Sequence, residues 1–290
     1  DYQEDARFPD DDKPQLEQRF FVVCDGVGGS EHGEVASNTV AKTFGEAMKK
    51  VDLKKDFTND DFKIVLDRAY QKLDKVGKKV EGDMATTLTF VCFHEKGVTM
   101  AHMGDSVIYQ VRPGFGIIYR SEDHSLINSL VHSGIISPEA AEDNPKKNVI
   151  TRYMEPAEED QSRCNATVVR TKDVKEGDYF ILCSDGVGAK IDDESLTSIL
   201  LDKESDNQEK TRKIAMIASD SSDNNTAFII QIDKVEYEQQ QDAPETTETT
   251  ENAESTIKIF NAKGSHQEVE PNQPTFRRSI FERIKDKLGL

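Results

Sequence analysis

The chain is poor in features that commonly mark a site. It has four cysteines, Cys24, Cys92, Cys164 and Cys183, widely spaced and without a Cys-x-x-Cys pair, and no Cys/His cluster of the kind that holds zinc. Three of them sit in apolar runs typical of strands. They read as free thiols packed as small hydrophobes in a reducing compartment, so a cytoplasmic location is expected. No apolar run approaches the roughly 18 residues of a membrane span, and no charged start followed by an apolar stretch marks a secretory signal. Basic residues are scarce: 37 Lys and Arg stand against 55 Asp and Glu, a formal charge of -18. Such a surface repels phosphate backbones and disfavours nucleic acid as a partner. No internal repeat and no Ser-His-Asp triad pattern is evident.

Hydrophobic residues make up 36% of the 290 and the mean hydropathy is -0.65, so part of the chain should lie outside the core. The composition breaks after Lys234. Residues 1–234 can form one folded domain. Residues 235–274 read as a disordered acidic linker, because EYEQQQDAPETTETTENAE carries no Lys or Arg, repels itself and offers little to bury. Residues 275–290 read as a basic amphipathic helix. Phe276, Ile280, Ile284 and Leu288 recur every four positions among Arg277, Arg278, Arg283, Lys285 and Lys287. Such a helix docks on this protein, on a partner or on an anionic membrane surface.

Within 1–234 the pattern alternates. Strands are expected at Phe20–Cys24, Thr86–Phe93, Val98–His102, Val107–Val111, Ala166–Arg170, Tyr179–Ser184 and Ala227–Ile232. Apolar residues at helical spacing mark long helices over Glu31–Val51 and Asp60–Val80, and further helices near Ser125–Gly134, Pro138–Asp143, Glu194–Leu201 and Gln208–Ser219. Consecutive strands joined by short turns favour antiparallel pairing. The expected class is therefore α+β, with sheets covered by helices.

The acids are placed more tellingly than their number suggests. Asp25, Asp105, Asp185 and Asp223 each lie beside an apolar strand, the first three with glycine as a neighbour (CDGVGG, MGDS, SDGV). One Asp-Gly usually marks a turn. Four strand-end carboxylates in one domain point instead to hard oxygen ligands gathered around a divalent cation, Mg²⁺ or Mn²⁺ rather than zinc.

Taken in order, Glu4-Asp5-Ala6, FFVVCDGVGG at Phe20–Gly29, Ala85-Thr86-Thr87-Leu88, AHMGDS at Ala101–Ser106, Asp123-His124-Ser125-Leu126, NVITR at Asn148–Arg152, Cys183-Ser184-Asp185-Gly186 and Asp223-Asn224-Asn225-Thr226 resemble the motif series of bacterial PP2C-type metal-dependent protein serine/threonine phosphatases. The likeness runs from Glu4 to about Ile232 and leaves out the tail. It implies an αββα sandwich, two antiparallel sheets face to face with helices outside, and hydrolysis of phosphoserine and phosphothreonine in phosphorylated protein substrates by a monomer. It also implies a binuclear Mn²⁺ or Mg²⁺ centre. Asp25 would bridge two ions, the Gly26 carbonyl would ligate the second, and Asp185 and Asp223 would hold the first. Glu4 and Asp5 match the family's acidic pair near the N-terminus, and Asp105 with Asp185 matches a weaker third ion site. Residues Ser125 to Asn148 correspond to a flap beside the active site.

The chemistry suits that ligand set. Two cations sharing a water pull its pKa from about 15.7 toward about 7, so hydroxide can attack phosphorus in line without a Cys or Ser nucleophile. Departures from the family are few. Its phosphate-gripping arginine, counted back from Glu4, falls one position before Asp1; Val27 stands where some members have histidine; and Ala85 replaces a usual glycine. His102 and His124 read as structural histidines, and the Asp10–Asp12 run as a solvated loop. The rival readings are a catalytically weak scaffold on the same fold, or a hydrolase of another phosphoester. Retention of Asp25, Asp185 and Asp223 together favours the phosphatase, since a scaffold has no need of acids that repel one another.

Overall fold

The computed structural model of the chain describes residues 3–11, 17–142, 144–157 and 163–235. All belong to the first of the two units into which the chain divides, Asp1–Gln239. The acidic linker beyond Val235 and the basic helix expected over 275–290 lie outside the described residues.

Two antiparallel sheets form the centre. The first has five strands in the order β1 (Ala6–Phe8), β2 (Phe20–Cys24), β3 (Leu88–His94), β4 (Gly97–Met103) and β7 (Thr167–Thr171). The second has four, in the order β6 (Gly116–Arg120), β5 (Val107–Arg112), β8 (Tyr179–Cys183) and β9 (Ala227–Gln231). Helices α1 (Gly33–Met48) and α2 (Asn59–Gly77) cover the first sheet, while α5 (Asp185–Gly188), α6 (Asp193–Leu201) and α7 (Asn207–Ala218) cover the second. Short helices α3 (Leu126–His132) and α4 (Pro138–Glu142) lie in the segment expected to form a flap.

Why FFVVC and YFILC show no polar alternation is now apparent. In β2, Phe20, Val22 and Cys24 pack on the α1/α2 side, whereas Phe21 and Val23 face the other sheet. In β8, Tyr179, Ile181 and Cys183 pack on the outer helices, whereas Phe180 and Leu182 enter the layer between the sheets. A strand covered on both faces must be apolar at every position. The helices follow ordinary local rules. Thr58 caps α2 with a full capping box: its Oγ1 accepts from Asp61 N (3.2 Å) and the Asp61 carboxylate accepts from Thr58 N (2.9 Å). Phe44, Phe62 and Phe90 meet beneath α1 and α2, with ring centroids 5.6 to 6.2 Å apart.

Three elements have weak signatures in the sequence. Strand β6 is a partly exposed edge strand, β1 has three residues, and α5 is a single turn directly after β8.

One end of the second sheet is pinned by a buried ion pair. Arg112 donates from Nε to Asp178 Oδ1 and from Nη2 to Oδ2, both at 2.8 Å, and Gln110 and the Lys175 amide donate to Oδ2 at 3.0 Å. Burial pushes the Asp178 carboxyl up, but these donors outweigh it and hold it below the usual carboxylate range. Asp178→Ala should cost about 3 kcal/mol, the low end for breaking a buried pair, because Asp173 still reaches Arg112 at 2.9 Å. Urea unfolding measures it; a loss under about 1 kcal/mol would mean the pair contributes little.

Candidate active site

The strands deliver their acids to the opposite end. Asp25 follows the last residue of β2, Asp185 begins α5 two residues after β8, and Glu4 and Asp5 precede β1. In the ladder Ala6 faces Cys24, and Gly26 N donates to Glu4 O (3.2 Å), so the acidic pair runs alongside Asp25. The β4–β5 turn carries Asp105, the segment after β6 carries Asp123, and the loop between α7 and β9 carries Asp223. Asp5 is buried, Glu4, Asp25, Asp105, Asp123 and Asp185 are half-buried, and Asp223 stands exposed at the rim. All the carboxylates anticipated from the sequence therefore come to one place, and Asp123 joins them.

Neighbouring groups fix this arrangement. Ser184 Oγ donates to Asp5 Oδ2 (2.7 Å) and accepts from Thr226 N (3.1 Å), tying the edge of one sheet to the other. Thr87 Oγ1 accepts from Asp25 N (3.0 Å) and bonds Ser106 Oγ (2.8 Å). Asn224 Oδ1 accepts from Glu4 N (2.6 Å). Two glycines are needed for close approach: a Cβ on Gly26 would lie 2.6 Å from the Gly33 carbonyl carbon, and one on Gly186 would lie 2.0 Å from Asn224 O. The motif glycines thus let α1 and the Asp223 loop close on the site. Ala85, where glycine was expected, fits: it is buried, and its carbonyl accepts from Val27 N at 3.0 Å.

The electrostatics are lopsided. Burial, then Asp5, Asp185 and Asp105, push Asp25 up to about 10. Burial and Asp185 raise Asp105 to about 7, and burial raises Asp123 to about 6 against the pull of Arg120. Asp5 and Asp185 are raised by burial first, as is Glu4, which also feels Glu34, Asp223 and Asp5. Asp25 lies within hydrogen-bonding reach of both Asp5 and Asp185, so in the absence of a cation it is the member that keeps its proton. Asp5 Oδ1 and Asp185 Oδ1 are buried without a hydrogen-bond partner among the described residues. No group of three or more His, Cys, Asp or Glu side chains among those residues is arranged to hold an ion as it stands. The acids crowd together without forming a closed cage.

The histidines stand apart. The His102 and His124 rings stack at 4.4 Å; His102 Nε2 bonds Glu122 O and His124 Nε2 bonds Thr167 Oγ1, each at 2.8 Å. Burial, with His102 and Arg152 nearby, pushes His124 down to about 3, which leaves it neutral. They floor a cleft of about 440 Å³ bordered by Asp123, Arg152 and the α3 residues Asn128 and Ser129, so the cleft runs from the acids to the flap segment. Asp10 and Asp11 are exposed, and Asp12 lies outside the described residues.

Two helix-covered antiparallel sheets with carboxylates gathered at one end are the architecture of the PP2C-type protein phosphatases. The chain belongs to that family: the profile for "Protein phosphatase 2C" matches residues 9–219. Among relatives, protein phosphatase PhpP of Streptococcus pneumoniae is 29% identical over 230 residues, covering 76% of this chain and 88% of that protein. The solved structure of serine/threonine phosphatase Stp1 from Staphylococcus aureus superposes with a TM-score of 0.68 at 28% identity, covering 81% of this chain and 91% of Stp1. The catalytic domain of the serine threonine protein phosphatase PstP, solved in complex with 2 manganese ions, shares the fold at 24% identity and a TM-score of 0.61, over 80% of this chain and 93% of PstP.

The charge arrangement is testable without any assay of activity. Asp105 has a folded pKa of about 7 against an ordinary 3.8, so its ionisation costs nothing below the lower value, destabilises increasingly as pH rises from the lower to the higher, and costs its full amount above it. In chelating buffer, Asp105→Asn should therefore match the wild-type melting temperature near pH 4 and exceed it near pH 8. A variant less stable than wild type at pH 8 would refute the repulsion.

Proposed function

We propose that the chain hydrolyses phosphoserine and phosphothreonine in protein substrates at the acid-lined end of the sandwich, with two divalent cations, Mn²⁺ or Mg²⁺, as resident cofactors. One observation carries this reading: Asp5 Oδ1 and Asp185 Oδ1 are buried carboxyl oxygens that, among the described residues, have no donor beyond what a protonated Asp25 close to both can offer. An orphaned buried oxygen is costly unless something positive reaches it. The donors fit hard cations, being carboxylates and a backbone carbonyl with neither thiolate nor imidazole among them. Asp25, the Gly26 carbonyl, Asp185 and Asp223 are the ligands for the pair, with Glu4 and Asp5 as the supporting acids. Asp105 with Asp185 is the place for a weaker third ion. When bound, such ions act as Lewis acids, lowering the pKa of water and offsetting charge on phosphoryl oxygens.

The chain's own residues do the positioning. Ser184 fixes the rotamer of Asp5, Thr87 fixes the backbone of Asp25, and Asn224 locks Glu4 to the Asp223 loop, so the acids stay in place when their protons leave. The adjoining cleft, with Arg152 on its wall, is where the peptide around the phosphorylated residue would lie. The catalytic unit is residues 1–234. The basic segment 275–290 serves attachment to a partner or an anionic membrane surface, and chemistry does not require it. Among the described residues no helix is long and apolar enough to cross a membrane.

With a phosphothreonine peptide and Mn²⁺, Asp185→Asn should lower kcat by about 100-fold or more, the scale on which loss of one electrostatic group slows an enzyme. Mn²⁺ should raise the melting temperature of the wild type but scarcely that of the variant. Turnover near the wild-type rate, or an equal Mn²⁺ shift in both, would sink the assignment. A chain ending at Lys234 should keep its rate on a small aryl phosphate; a large loss would place the tail at the site.

A further inference from the structure

A second pocket, of about 460 Å³, lies at the other end of the second sheet. Its base is Tyr179, the first residue of β8, whereas Asp185 sits beyond the last. Leu200, Leu201 and Pro113 give it apolar walls.

Lys210, in the first turns of α7, also lines this pocket and is only 6% exposed. An ammonium group has three N–H donors and no acceptor. Here it has one partner among the described residues, Tyr179 Oη at 3.0 Å, and its Nζ stands 5.1 Å from the centre of the same ring. Tyr179 donates onward to Asn207 Oδ1 (2.9 Å), and Asn207 Nδ2 donates to Gln231 Oε1 (2.6 Å). Every step of that relay leads away from the lysine and ends on a neutral group. No carboxylate pairs with Lys210 among the described residues. The nearby acids are engaged elsewhere. Asp202 accepts from Glu204 N (3.0 Å), Ser205 Oγ (2.7 Å) and Lys213 Nζ (3.2 Å), and Asp206 caps α7 through Glu209 N (2.7 Å). A cation near a helix N-terminus also opposes the helix dipole, so α7 gives no reason for a lysine here. A buried ammonium with one hydrogen-bond partner among the described residues, facing a cavity of ligand size with apolar walls, calls for an anion.

We propose that this pocket binds a small organic monocarboxylate, its carboxylate paired with Lys210 and its apolar part lying against Leu200, Leu201 and the Tyr179 ring. The lining sets the charge. Lys203 and Lys210 stand against Asp202 and Asp206, so the pocket has no net positive charge and disfavours a dianion such as phosphate more than a single carboxylate. The apolar walls favour an organic acid over a small hydrated ion.

The test uses benzoate as the probe, titrated into the ¹⁵N-labelled full chain and followed at the backbone amides of Asn207 and Lys210. Saturable shifts are expected with benzoate and none with the uncharged benzyl alcohol, with inorganic phosphate binding more weakly. Lys210→Met, which keeps the apolar stem, should weaken benzoate at least tenfold, and Lys210→Arg should restore it. Turnover of a small aryl phosphate should be unchanged in Lys210→Met, so the outcome stands apart from that of the phosphatase reading. Absence of benzoate shifts, equal response to benzyl alcohol, tighter binding of phosphate, or undiminished binding in Lys210→Met would each overturn the proposal. Should the methionine variant fail to fold, benzoate against benzyl alcohol on the wild type decides alone.

Discussion

Repulsion among carboxyls sunk into one end of the sandwich is the constraint that the rest of the molecule has to withstand. The two ends of the second sheet handle charge in opposite ways. At one, Asp178 is buried together with Arg112, so the neutralising cation is part of the chain. At the other, no Lys or Arg among the described residues pairs with Asp5, Asp25 or Asp185, and in the absence of a cation burial and the neighbouring acids push the Asp25 carboxyl up. Such a cluster survives because its supports are rigid. The strands that carry it are apolar on both faces, and hydroxyls of Ser184 and Thr87 hold the acids in place without adding charge.

The architecture was legible wherever burial left a one-dimensional trace. FFVVC and YFILC announced strands covered on both sides, and helical spacing in Val40, Phe44, Phe62, Leu66 and Leu73 announced α1 and α2. Strand β6 left a weaker trace, because GIIYR is an edge strand whose contacts, Ile117 toward the outer helices and Tyr119 toward the inter-sheet layer, are only partly buried. Asp123 has no clear strand ahead of it in the sequence, and only the Asp-His-Ser motif marks it. Asp25, Asp105 and Asp185 could be singled out because close packing forces glycine beside them, as the Gly26 and Gly186 contacts make plain. Registers such as Thr99 opposite Arg170, or Tyr109 opposite Ile181, join segments too distant in the chain for any local pattern to encode.

Ser184 illustrates what composition cannot convey. A serine after an apolar strand is unremarkable in a sequence, yet here it receives the Thr226 amide and donates to Asp5, so three chain segments meet at one hydroxyl. Lys210 is a parallel case. In the sequence it belongs to a polar helix, and only the packing of α7 on Tyr179 turns it into a sequestered charge.

The wiring of the acidic end also has a temporal side. Asp5 is bonded to a residue 179 positions later, and Glu4 to one 220 positions later, so a segment made early is completed by one made much later. Contacts of such high contact order form slowly, after the loop between them has closed. In a nascent chain the amide of Glu4 therefore stays without Asn224 until the loop before β9 has been synthesised and docked.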